Sequence, residues 1–210
     1  MIKIKVCGIT NTEDALKAVY YGAYALGFIF HKKSPRYISP SKARKIIEAL
    51  PPFVVPVGVF VDLKEKAVRD ICNFARIRTV QFHGEETPVY CKRFKDYKII
   101  KAFRIGEYFH VDLLKKYKVD SFLFDAYQEG AEGGTGKTFN WDVLKGQKFD
   151  KPFIISGGLG ADNIQKAIST FSTPIPYAFD LSSSLEKSPG IKNPRLIRAF
   201  FEVLKFEEGR

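Results

Sequence analysis

Four chemically capable positions sit at the ends of apolar runs. Cys7 closes Lys-Ile-Lys-Val-Cys and is followed at once by Gly8, His83 closes Val-Gln-Phe-His, and Asp125 closes Phe-Leu-Phe-Asp. The pair Gly157-Gly158 follows Phe-Ile-Ile-Ser. A cysteine so placed is either a small buried filler or a thiol presented for proton or nucleophilic chemistry. The second role needs a thiolate, which a nearby anion disfavours and which Lys5, a helix start or the substrate geometry would have to stabilise. Asp125 is either a cap for neighbouring N–H groups or an acid whose pKa is raised by apolar surroundings. His83 can shuttle protons or stand neutral and hydrogen-bonded in support.

Other segments look built for binding. Gly157 and Gly158 let the backbone approach a ligand closely, and N–H groups at the start of the following helix favour an anion. The run Ser182-Ser183-Ser184 adds small hydroxyl residues in a second loop, so a phosphate is the expected occupant. Arg36, in His-Lys-Lys-Ser-Pro-Arg, has the planar fork that clamps a carboxylate, although an exposed loop arginine is the plainer reading. The stretch Ala131 to Trp141 approaches the nucleotide-binding pattern GxxxxGKT but carries Ala131 where the first glycine is required. Gly133, Gly134 and Gly136 therefore read as a glycine-rich loop flanking a site.

These positions need elements to hold them. Eight apolar, β-branched runs recur: Ile2 to Cys7, Tyr24 to Phe30, Val54 to Phe60, Arg78 to His83, Lys98 to Phe103, Ser121 to Ala126, Phe153 to Gly158 and Tyr177 to Ser182. Helical spacing follows, as in Thr-Glu-Asp-Ala-Leu-Lys-Ala-Val-Tyr-Tyr-Gly, with Gly22 as its stop, and in the segment after Ser39-Pro40. Eight strand–helix alternations predict parallel strands with crossover helices, that is, a single (β/α)8 TIM barrel over residues 1–210. An open doubly wound sheet would carry GxGxxG after its first strand, and Val-Cys-Gly-Ile-Thr-Asn does not. In a barrel, active sites lie at the C-terminal strand ends, where Cys7, His83, Asp125 and Gly157-Gly158 converge.

Composition narrows the field. At 45% apolar and 14% aromatic residues the chain is a folded globule, with no run long enough to span a bilayer. The first residues lack the layout of a signal peptide, and Cys7, Cys72 and Cys91 suit a reducing compartment, so a cytoplasmic location is expected. The net charge of +11 would attract nucleic acid or a small anion, but the lysines are scattered and no nucleic-acid motif accompanies them.

In order along the chain, Lys-Val-Cys-Gly-Ile-Thr, Gly-Phe-Ile-Phe-His-Lys-Lys-Ser-Pro-Arg-Tyr-Ile-Ser, Phe-Asp-Ala, Gly-Gly-Thr-Gly-Lys-Thr-Phe-Asn-Trp, Ile-Ser-Gly-Gly-Leu and Leu-Ser-Ser-Ser-Leu-Glu-Lys-Ser-Pro-Gly-Ile-Lys resemble the phosphoribosylanthranilate isomerases of tryptophan biosynthesis. The resemblance implies an Amadori rearrangement with Cys7 as general base and Asp125 as general acid. It further implies substrate contacts at Arg36, His83, Gly134, Gly157, Gly158, Ser182 and Ser183. No metal or cofactor is implied, and the expected partner is a phosphorylated sugar–anthranilate, with no nucleic acid or membrane and the chain a monomer or homodimer. Ser184 departs from the glycine the resemblance would place there, and is expected to strain the backbone or crowd a phosphate. The rivals are a ribulose-phosphate epimerase, an indoleglycerol-phosphate synthase using Lys5, and a basic nucleic-acid-binding module.

Overall fold

The computed structural model describes residues 2–106, 109–125, 144, 146–171 and 173–208. Each of the eight apolar runs forms a strand within about two residues of its expected bounds: β1 (Lys3–Cys7), β2 (Ala25–Ile29), β3 (Val55–Phe60), β4 (Thr79–Phe82), β5 (Lys98–Arg104), β6 (Ser121–Asp125), β7 (Phe153–Ser156) and β8 (Ala178–Leu181). Neighbours pair in parallel from β1 to β8, and β8 pairs with β1 to close the barrel. The strands read as nearly unbroken apolar runs because both faces are covered. Alternation sends Ile4, Val6, Leu26, Phe28, Phe82, Phe122, Phe124 and Phe179 into the large core shared with the helices. A second cluster, Ala25, Val57, Ile100, Ala102, Leu123, Ile154 and Ala178, packs the barrel interior.

The crossovers are less regular than the strands. Helix α1 (Thr12–Tyr21) is capped by Asn11, whose side chain accepts from the Asp14 N–H at 2.8 Å. It ends at Gly22, where a φ of 125° lets the N–H reach back to Ala18 and Val19. Helix α2 (Pro40–Glu48) starts with Pro40 after a Ser39 cap, as expected, and α3 (Glu65–Ala75) follows β3. After β4 comes only the short α4 (Pro88–Cys91) with a 3₁₀ turn, and the described part of the connection after β5 holds a 3₁₀ turn at Val111–Lys116. Helix α5 (Ile164–Thr170) follows β7, and α6 (Pro194–Glu208) closes the described chain. Between β8 and α6 a small antiparallel ribbon forms from β9 (Glu186–Ser188) and β10 (Ile191–Lys192).

Much of the basic charge is spent on outer helix faces, in pairs such as Lys17–Glu13, Arg44–Glu48 and Arg198–Glu202. Such one-turn pairs mark a solvated surface. No described helix is long and apolar enough to cross a membrane.

One buried pair secures the exit of β4. The Lys101 ammonium donates to Glu86 Oε2 at 3.1 Å and to the carbonyls of Gly84 and Ala102 at 2.6 and 3.0 Å. Glu86 in turn accepts the N–H groups of Asp62 and Gly84, at 3.0 and 2.9 Å. Glu86→Ala should therefore destabilise the fold by about 3–5 kcal/mol, because it strands a buried ammonium. Urea denaturation measures this, and a loss under about 1 kcal/mol would show that the lysine simply reorients.

Candidate active site

Lys5 and Cys7 lie on the same face of β1, since side chains two apart in a strand point the same way. Lys5, 2% exposed, donates to both oxygens of Asp180 at 2.9 Å. Burial alone would lower the lysine's pKa, but Asp180 and the Cys7 sulfur beside it hold it above its ordinary value, so Lys5 stays charged. Cys7 pairs in register with Gly27 of β2. A Cβ at Gly27 would come within 2.6 Å of Cys7 Sγ and 3.1 Å of Lys5 Nζ, so the missing side chain makes room for the sulfur and ammonium to share this corner. Burial pushes the Cys7 thiol up; Lys5 and Lys192 pull it back, and Asp180 adds to the rise. The resting group is thus a thiol with a fixed cation at hand. Cys72 and Cys91, away from the rim, are pushed by burial to about 12 and about 11.

The glycine after Cys7 has its own reason. Gly8 takes a φ of +78°, and a Cβ there would press within 2.8 Å of Arg36 Cδ. Arg36 reaches the rim from the loop after β2, where its Nε and Nη2 grip Glu186 at 2.7–3.0 Å. Glu186 also accepts from Lys192 Nζ at 2.9 Å and the Gly190 N–H at 3.2 Å. The buried Lys192 donates further to the Ser182 carbonyl at 3.0 Å, and its backbone N–H bonds Asp14 at 2.7 Å.

Across the mouth, Asp125 ends β6 with Oδ2 at 3.0 Å from His83 Nε2, while His83 Nδ1 lies 2.9 Å from Gln81 Nε2. Both side chains are largely covered, at 15% and 21% exposure. Burial pushes the Asp180 carboxyl up and Lys5 draws it back, while His83 and Asp125 also act on it, so Asp180 lies within electrostatic reach of both the Cys7 thiol and the Asp125 carboxyl group.

The glycine-rich turn after β7 uses left-handed backbone at Gly157 (φ 94°) and Gly158 (φ 64°). Among the described residues, apart from its chain neighbours, no atom lies within 4 Å of where a Gly158 Cβ would stand, so on that side a ligand can come up against this backbone. Asn163 pins the turn by accepting from the Gly160 N–H and donating to the Gly158 carbonyl, at 2.9 and 2.8 Å. In the adjoining loop Ser182 Oγ donates to the Cys7 carbonyl at 3.2 Å, and a 3₁₀ turn spans Ser183–Leu185. The expected strain at Ser184 does not arise: among described non-glycine residues only Asp62 and Arg76 have positive φ, and Ser184 Oγ bonds the Leu159 carbonyl. A hydroxyl here ties the loops after β7 and β8 together. Gly134 and the glycine-rich stretch around it lie outside the described residues.

Sequence reasoning missed Gln81, Asp180, Glu186 and Lys192. Asp180 had a legible signal, since a carboxylate inside the last apolar strand and a lysine inside the first become neighbours once the barrel closes. Among the described residues no group of three or more His, Cys, Asp or Glu side chains is placed to hold a metal ion.

A closed eight-stranded parallel barrel carrying thiol, carboxyl and a glycine-rich turn on its C-terminal rim defines a (β/α)8-barrel enzyme. Residues 4–203 match the family model described as N-(5'phosphoribosyl)anthranilate (PRA) isomerase. The N-(5'-phosphoribosyl)anthranilate isomerases of Geobacter sulfurreducens and Geobacter metallireducens are 43% and 44% identical over 98% of this chain and 99% and 100% of their own. The phosphoribosyl anthranilate isomerase of Thermus thermophilus superposes with a TM-score of 0.86 at 35% identity, over 98% of this chain and all of that one. Another phosphoribosyl anthranilate isomerase structure, in complex with reduced 1-(o-carboxyphenylamino)-1-deoxyribulose 5-phosphate, matches with a TM-score of 0.83 at 34% identity over 98% of this chain and 100% of its own. The chain belongs to the N-(5'-phosphoribosyl)anthranilate isomerase family.

The rim network should respond to acid. Burial by itself would raise the Glu186 pKa, but Arg36 and Lys192 hold it below the usual 4.5. A depressed carboxylate stabilises fully above its unfolded value and loses that contribution as pH falls through the folded one. Between pH 4.5 and lower values the unfolding midpoint of the wild type should therefore fall more steeply than that of Glu186→Gln. Parallel acid limbs would rule the carboxylate out as a contributor.

Proposed function

We propose that this chain, as one catalytic domain over residues 1–210, converts N-(5-phosphoribosyl)anthranilate into 1-(2-carboxyphenylamino)-1-deoxyribulose 5-phosphate in tryptophan biosynthesis. The carrying observation is that Cys7 ends β1 and Asp125 ends β6 with both in electrostatic reach of Asp180, on a barrel similar to an isomerase structure that holds reduced 1-(o-carboxyphenylamino)-1-deoxyribulose 5-phosphate. Asp125 donates a proton to the furanose ring oxygen. The C1–O bond breaks, and the anthranilate nitrogen supplies the electron pair that makes the iminium. Cys7, as thiolate, then removes the C2 proton, and the C–H electrons flow into the C=N bond to give an enolamine. Loss of the hydroxyl proton at C2 and protonation at C1 yield the ketone. The iminium nitrogen is the electron sink, so neither metal nor cofactor is required.

The remaining side chains fit supporting tasks. Lys5 is the cation that brings the thiolate within reach, and Asp180 keeps it beside the sulfur. Arg36, held in plane by Glu186, meets the anthranilate carboxylate with a charge-assisted fork. Backbone N–H groups near Gly158 and Ser183 receive the phosphate and hold C2 over the sulfur, with Gly157 and Ser182 shaping that cradle. His83 steadies Asp125. Burial of Lys5 in a salt bridge speaks against the indoleglycerol-phosphate synthase reading, and the paired surface charges speak against a nucleic-acid module. A cytoplasmic monomer or homodimer suits the reaction.

Purified protein should consume the fluorescent anthranilate substrate with no added metal or nucleotide. Cys7→Ala and Asp125→Ala should each lower turnover by about 10²- to 10⁴-fold with an unchanged circular-dichroism spectrum. Full activity in Cys7→Ala would remove the thiol from the mechanism, and no wild-type activity would remove the substrate.

A further inference from the structure

The end of β4 reads Gln81-Phe82-His83. Phe82 packs outward against Tyr90 and Phe94, while Gln81, 1% exposed, turns the other way and meets His83. The Gln81 Nε2 to His83 Nδ1 distance is 2.9 Å, and His83 Nε2 to Asp125 Oδ2 is 3.0 Å. A carboxamide nitrogen only donates, and a ring nitrogen that accepts carries no proton. With Gln81 donating to Nδ1, the single proton of a neutral imidazole sits on Nε2 and points at Oδ2. Oδ2 is then an acceptor, so any proton Asp125 carries is on Oδ1.

The oxygen of the amide sharpens this. Gln81 Oε1 is buried and has no hydrogen-bond partner among the described residues. An unpaired buried acceptor is a cost that core positions avoid, and an apolar side chain would remove it. The carboxamide contributes through its donor. Were the amide turned over, Gln81 Oε1 would accept from His83 Nδ1–H and the unprotonated Nε2 of His83 would become an acceptor. Asp125 would then hold its proton on Oδ2, in a bond to the histidine. The two orientations thus choose the carboxyl oxygen from which a proton can leave. Asp180 also acts on both His83 and Asp125, with its own charge met by Lys5.

We infer that Gln81 is a positioning residue: by donating to His83 Nδ1 it holds the Nε2–H tautomer and keeps the transferable proton of Asp125 on Oδ1. This deepens the reading of Asp125 as proton donor and rests on it. The test is ¹⁵N NMR of the substrate-free protein labelled at histidine, which has only His31, His83 and His110 to assign. Near neutral pH, His83 should show a bare Nδ1 and a protonated Nε2. A protonated Nδ1, as tautomer or imidazolium, overturns the inference with the wild type alone, whatever the variants do. Gln81→Met, which lacks the donor, should leave His83 exchanging between tautomers and lower kcat about tenfold, part of the ~10²–10⁴ a general acid supplies, with KM changed less than about threefold. Gln81→Glu, which can only accept, should drive the proton onto Nδ1. A fixed Nε2–H and wild-type kcat in Gln81→Met would equally overturn the inference. The tautomer is read without substrate, so an active enzyme with the wrong tautomer defeats only this relay. An inactive one with the right tautomer defeats only the proposed function.

Discussion

The site depends on one buried ion pair across the seam of the barrel. Lys5 on β1 and Asp180 on β8 are direct register partners, and the ammonium meets both carboxylate oxygens at 2.9 Å. Taking two charges out of water is expensive, and a well-packed apolar pair is often as stable. The pair's clearest effect is therefore local: it fixes a positive charge beside Cys7 and a carboxylate within electrostatic reach of both the thiol and Asp125. Gly27 is the steric counterpart, because any side chain there would occupy the space that sulfur and ammonium share.

A second network, on the loops after β2 and β8, flanks β1 on the same side of the mouth. Glu186 gathers Arg36, Lys192 and the Gly190 N–H, while Lys192 ties back to the Ser182 carbonyl and to Asp14 at the start of α1. These bonds hold rim loops to the barrel end without an intervening helix. The same loop meets the glycine turn through Ser184, so the region that would receive a phosphate is braced from both sides. Preorganisation of this kind is what lets binding energy position a reacting carbon.

How much of this was legible depends on whether a feature is local. The strands were readable because each is a mostly apolar run rich in β-branched and aromatic residues, covered on both faces. Pro40 and Gly22 announced helix ends through backbone chemistry that needs no partner. The crossover after β5 misled, since an apolar spacing compatible with a helix settles there into a 3₁₀ turn at Val111–Lys116. Ser184 misled differently: glycine preference suggested strain, yet the backbone there is ordinary and the hydroxyl finds a carbonyl.

The residue types that end the strands, and so the presence of a thiol, a carboxyl group and glycines on one rim, were determined by the sequence itself. Strand period and strand end are local properties, and a parallel barrel gathers all C-terminal ends together. Which group touches which was decided only by tertiary structure. Lys5 and Asp180 are 175 residues apart, Arg36 and Glu186 150, and His83 and Asp125 42. The first pairing follows from register across the seam, the others from the gathering of loops and strand ends on one rim, and no one-dimensional spacing encodes those distances.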